Sequence, residues 1–94
     1  MQSEESIKII ERFFEALDHI IERGDIRGVK TYCDFYDIDR WNLNKQRKNP
    51  ERGWFEVRWL APLVRYYHIS PRWLLTGQGR MTTRHESKNS TLSD

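Results

Sequence analysis

Between Ile7 and Ile21 the apolar positions Ile10, Phe13, Phe14, Leu17, Ile20 and Ile21 recur at intervals of three and four. That period predicts an amphipathic first helix with one continuous apolar stripe. A stripe of this length must be covered, so the segments that follow have to supply a matching apolar surface. Glu4 and Glu5 complement the helix dipole at its start, and Gly24 can end it. Glu11, Glu15, Asp18 and Glu22 form the outward side. Such an acidic strip is expected to face away from any nucleic acid, which makes the first helix a scaffold.

The covering segments are short. After the turn Gly24-Asp25-Ile26-Arg27-Gly28, Val29, Tyr32, Cys33 and Tyr36 lie at helical spacing and predict a second helix ending near Tyr36. Asp37-Ile38-Asp39 breaks it, and Asp39 is a good N-cap for a third helix from Arg40 to about Lys48. Asn49-Pro50-Glu51-Arg52-Gly53 is turn chemistry. The apolar run from Trp54 to Tyr67 contains Pro62, which removes an amide donor and clashes with the preceding turn, so a fourth helix with an irregular start is expected. In the last segment Ser70 suits the N-cap, Pro71 the first helical position and Gly77 a left-handed stop, with Trp73, Leu74 and Leu75 as the buried face. Residues 82–94 hold one leucine and no period, which predicts a disordered tail. No repeat and no convincing strand is present. The expected architecture is all-α: a small five-helix bundle over residues 1–81, followed by the tail.

Ninety-four residues support one modest core. Four Trp, four Tyr and four Phe can fill such a core with few positions. The single cysteine, Cys33, excludes an internal disulfide, and its place between Tyr32 and Phe35 reads as a buried small hydrophobe. No apolar run approaches the ~20 residues that span a bilayer. The start Met1-Gln2-Ser3-Glu4-Glu5 is acidic where a signal peptide is basic, so a cytoplasmic protein without a membrane partner is expected. The overall charge of +2 hides an asymmetry: residues 1–26 hold seven acids and three bases, whereas residues 40–80 hold nine Lys or Arg against Glu51 and Glu56. This basic middle segment suits a surface that meets phosphates, a solvated face, or a site for an acidic protein.

A helix of about eight residues, a three-residue turn and a second helix form the unit in which the second helix enters the DNA major groove. Residues 29–48 can be laid on this pattern, with Tyr32, Cys33, Ile38 and Leu43 as the internal seam. With Leu43 inward, Trp41, Asn44, Lys45 and Lys48 fall together on the opposite face, which holds no acid. Lys45 can donate to guanine O6 or N7, Asn44 can pair with adenine N6 and N7, and Trp41 can pack on a thymine methyl group. Trp41 can equally fold back onto Tyr36 or the first helix as core. Arg40, Arg47, Arg52 and Arg58 cluster nearby as phosphate contacts or solvated charges.

Residues 28–81, closing on His68-Ile69-Ser70-Pro71-Arg72-Trp73-Leu74-Leu75-Thr76-Gly77-Gln78-Gly79-Arg80-Met81, resemble the lambda-repressor-like or Xre family of helix-turn-helix domains. The resemblance implies a five-helix module acting as a bacterial or phage transcriptional regulator. It implies that Asp39, Arg40, Trp41, Asn44, Lys45 and Lys48 occupy positions that touch bases or phosphates. It also places Lys30 and Thr31 at the opening of the second helix, against the sugar-phosphate backbone. Three residues depart from the family pattern. Val29 stands where a DNA-contacting glutamine is common, Asp37 takes the turn position usually held by glycine, and Gln46 replaces an apolar residue and needs a partner for its amide.

Other chemistries lack their residues. His19, His68 and His85 have no ligand spacing, and Asp34, Asp37 and Asp39 lack the glycine turn and distal glutamate of a calcium loop. No phosphate-cradling glycine loop or nucleophile elbow occurs. The chain therefore reads as a non-enzyme without cofactor or metal, a sequence-specific regulator that binds double-stranded DNA as a homodimer. Lys30, Thr31, Arg40, Trp41, Asn44, Lys45, Arg47, Lys48 and Arg52 would carry the contacts, with Arg47 and Arg52 on phosphates. The alternative is a non-catalytic protein–protein interaction module that keeps the same fold.

Overall fold

The first helix opens on Ser3, whose hydroxyl oxygen accepts the amide of Ser6 at 3.1 Å, with Glu4 and Glu5 in the first turn. A computed structural model describes residues 3–83, and among these described residues there are five helices and no strand. These are α1 (Glu4–Glu22), α2 (Val29–Tyr36), α3 (Arg40–Lys48), α4 (Ala61–Tyr66) and α5 (Pro71–Thr76), with a short 3-10 turn at Val57–Trp59. The protein is all-α. Of the expected tail, residues 84–94 lie outside the described residues.

The stripe on α1 buries Ile10, Phe13, Phe14, Ala16, Leu17 and Ile20. Around it close Ile26, Tyr32, Cys33, Ile38, Leu43, Trp59, Leu63, Ile69 and Leu74, contributed by every other helix and by the connections. Burying one such Leu, Ile or Phe stabilises the fold by about 1.5–3 kcal/mol. Helices of six to nine residues are marginal alone in water, so α2 to α5 depend on this contact with α1.

Local chemistry sets each boundary. Asp37 ends α2 in the left-handed region at φ 56°, ψ 51°, and the carbonyl of Cys33 accepts the amides of both Asp37 and Ile38. Asp39 then opens α3 by accepting from the Asn42 amide at 3.1 Å. Arg58 locks this turn from outside: its guanidinium donates to the carbonyls of Tyr36 at 2.9 Å and Asp37 at 2.8 Å. The 3-10 turn supplies the irregular start foreseen from Pro62. Regular helix begins only at Ala61, so the proline sits in the first turn, where a missing amide costs no intrahelical bond. Ser70 and Gly77 (φ 79°) cap α5 as expected. Arg12 of α1 fastens that end by donating to the carbonyls of Leu74 at 2.8 Å and Leu75 at 3.1 Å.

Two expectations are corrected. Leu75 is exposed, not buried, because consecutive residues advance about 100° around a helix and Trp73, Leu74 and Leu75 cannot all face one core. Nor does the ordered chain stop at residue 81. Thr82 bridges Ile69, the Ser70 amide donates to the Met81 carbonyl and the Thr83 amide to the His68 carbonyl, both at 2.7 Å. The backbone of 68–70 has groups left over from α4 and α5, and the returning chain satisfies them.

The buried Tyr32 hydroxyl donates to the Trp59 carbonyl at 2.7 Å, and the Tyr36 and Tyr67 hydroxyls bond each other at 2.8 Å. Burial, with neighbouring tyrosines adding to it, pushes Tyr32 well above the usual tyrosine range. Burial and the bond to Tyr36 do the same for Tyr67. The unfolded chain ionises both near pH 10, so above that pH it holds fewer protons than the folded one. Stability is therefore complete below about pH 10 and falls as pH rises beyond it. In urea titrations from neutral to alkaline pH, Tyr67→Phe makes that fall shallower. At the α2–α3 turn, Asp37→Val lowers the urea-derived stability by about 1–2 kcal/mol, because a β-branched residue is strained at positive φ. Asp37→Gly leaves stability unchanged or higher.

Candidate nucleic-acid interface

α3 divides into two faces. Leu43 and Gln46 point into the protein and are fully buried. Arg40, Trp41, Asn44 and Lys48 are exposed and Lys45 is half-buried, with no acidic side chain within the helix. Among the described residues Arg40, Asn44 and Lys48 make no side-chain hydrogen bond or ion pair, so their polar ends are open to an outside partner.

Trp41 is 62% exposed and does not fold into the core. It meets Trp54, which follows the Pro50–Gly53 turn, with ring centroids 6.2 Å apart and planes inclined by 58°. Lys45 Nζ lies 5.0 Å from the Trp41 ring and 5.5 Å from the Trp54 ring, and the Arg52 guanidinium lies 5.3 Å from Trp54. Each contact is a cation–π attraction of about 0.5–1 kcal/mol at an exposed site. Together they hold two positive charges against two indoles.

The remaining expected contacts are placed elsewhere. Arg47 turns back to α1, where its guanidinium lies 4.7 Å from the Phe14 ring and donates to both carboxylate oxygens of Asp18 at 3.0 and 3.1 Å. The acidic strip of α1 is expected to face away from any nucleic acid, yet its Asp18 reaches Arg47 of α3. The cause is the packing of α1 on α3, which brings the strip's edge beside the last turn of α3. Lys30 forms an exposed i,i+4 ion pair with Asp34 at 2.8 Å, and half-buried Thr31 lines a shallow open cleft with Ile21, Ile26 and Phe35. Val29 packs against the core.

Gln46 resolves half of its polarity. Its Nε2 donates to the Asn49 carbonyl at 3.0 Å, while Oε1 is buried without a hydrogen-bond partner among the described residues. Burial also pushes the Cys33 thiol up, as suits a core residue held protonated. Among the described residues no group of three or more His, Cys, Asp or Glu is placed to hold a metal ion. None of their helices is long and apolar enough to cross a membrane.

Three contributors escaped the sequence pattern. Trp54 opens the apolar run that was read as leading into the fourth helix, and only the turn before it signals its return to α3. Arg58 and Asp18 act on the carbonyls of the turn and on Arg47, partners set by tertiary packing. Comparison of the chain with family models, with curated proteins and with solved structures found no match.

A double-mutant cycle between Asp18→Asn and Arg47→Met, read in urea, is expected to give a coupling of about 0.5–1 kcal/mol. It should shrink as salt rises, because both partners are partly exposed.

Proposed function

We propose that the protein is a sequence-specific DNA-binding transcriptional regulator of the helix-turn-helix type, with α3 entering the major groove. The acid-free exposed face of α3 carries this reading. It presents an amide, two lysines, an arginine and an indole from one short helix, backed by a buried seam and a turn locked by Arg58. In the groove, Asn44 pairs with adenine, Lys45 donates to guanine and Trp41 packs against a thymine methyl. Arg40, Lys48 and Arg52 take phosphates, and Arg47 adds another only when it leaves Asp18. One module of this size buries little DNA surface, so a homodimer on paired half-sites belongs to the proposal.

A second reading has its own observation. Phe35 and Tyr66 are 66% and 56% exposed, and Tyr36 stacks on Tyr66 with centroids 6.0 Å apart and planes 11° apart. An aromatic surface of this kind suits a non-catalytic module that holds a protein partner.

Selection on a random duplex pool at near-physiological salt separates the two. A motif bound roughly 10³-fold above scrambled DNA supports the regulator. Binding without a motif that vanishes as salt rises leaves only phosphate attraction and sinks it. On the selected site, Lys45→Ala should relax discrimination at one base position by about 1–3 kcal/mol, while Arg52→Ala should weaken all sequences alike.

A further inference from the structure

An indole in a closed duplex meets only base edges and methyl groups, because the base faces are covered by their neighbours in the stack. Trp41 offers far more than an edge contact needs. Its ring meets Lys45 Nζ at 5.0 Å and the inclined Trp54 at 6.2 Å, and 62% of the residue is still exposed to solvent. The exposed ring is bordered by the Lys45 ammonium and, across Trp54, by the Arg52 guanidinium. Asn44 and Lys48 stand exposed further along the same helix. A flat apolar face beside cations, with no acid from α3, matches an unpaired base together with its phosphates.

We infer that the Trp41–Trp54 cluster is a stacking site for an unpaired base, so that the protein binds single-stranded nucleic acid on the face formed by α3. The base stacks on the exposed part of the Trp41 ring, and the flanking phosphates sit against Lys45 and Arg52. Trp54 braces Trp41 and keeps Lys45 in place. This activity does not require duplex recognition, since stacking on an indole tolerates any base.

The test uses the full chain and three labelled strands of equal length: oligothymidylate, oligouridylate and an abasic deoxyribose-phosphate strand, titrated by fluorescence anisotropy at low and near-physiological salt. Oligothymidylate or oligouridylate should bind about tenfold tighter than the abasic strand, and this ratio should persist as salt rises, because phosphate attraction cancels in the comparison. The tighter of the two identifies DNA or RNA as the source of the base. Trp41→Leu should reduce binding to the abasic level and Trp41→Phe should retain part of the preference. Both variants are checked for an unchanged urea midpoint, which the exposure of Trp41 favours. Equal binding of all three strands, no binding of any, or a preference that survives Trp41→Leu overturns the inference. A duplex motif without strand preference would leave the regulator standing and this site refuted, and the converse result would do the reverse.

Discussion

Phe13 is the point on which the structure closes. Its fully buried ring meets Phe14 at 4.9 Å, Phe55 at 5.3 Å, Tyr32 at 6.1 Å and Trp59 at 6.2 Å. Those partners come from α1, from α2, from the segment after α3 and from the 3-10 turn before α4. Edge-on aromatic packing of this type adds about 0.5–1.5 kcal/mol per pair beyond area burial and restricts how neighbouring elements can be inclined. Short helices that could otherwise slide over an aliphatic stripe are thereby held in one arrangement.

The position of α3 follows from that packing. Leu43 anchors it in the core, the carbonyls of Tyr36 and Asp37 are clamped by Arg58, and Arg47 spans to Asp18 on α1. Its last turn is tied by Gln46 to the Asn49 carbonyl. What the core does not consume, Arg40, Trp41, Asn44 and Lys48, is presented on a helix whose rotation about its own axis is already settled. A proposed reading head needs that property, because rotating the helix by even one residue, about 100°, would swing its exposed side chains away from their present direction.

Signals that act within a few residues were visible before the structure. Capping by Asp39 and Ser70, the left-handed stop at Gly77 and the seam of Tyr32, Cys33, Ile38 and Leu43 all follow from backbone chemistry or helical period. The features those signals did not reveal share a different cause. Trp54 opens the run leading into α4, but the turn before it leads it to Trp41. Leu75 carries the right chemistry at the wrong angle. Asp18 and Arg47 meet across 29 positions of sequence, and neither residue's local pattern announces the other. The candidate site was thus readable as a helix face, while its second indole and the diversion of one arginine depended on long-range packing.

The hydrogen bonds from Arg12 to the carbonyls of Leu74 and Leu75 link residues 62 and 63 positions apart. During synthesis α1 leaves the ribosome well before α5, so this partner arrives only after the intervening helices are made. Until α5 emerges, the guanidinium has only water to bond and the nearby end of the apolar stripe lacks Leu74. Loop closure over such a span must precede the stabilisation it brings, so assembly is expected to be concerted across the chain and not sequential from its beginning. A nascent chain halted within α4 would expose the stripe that the finished protein hides, and its hazard would be association through α1 with another unfinished copy.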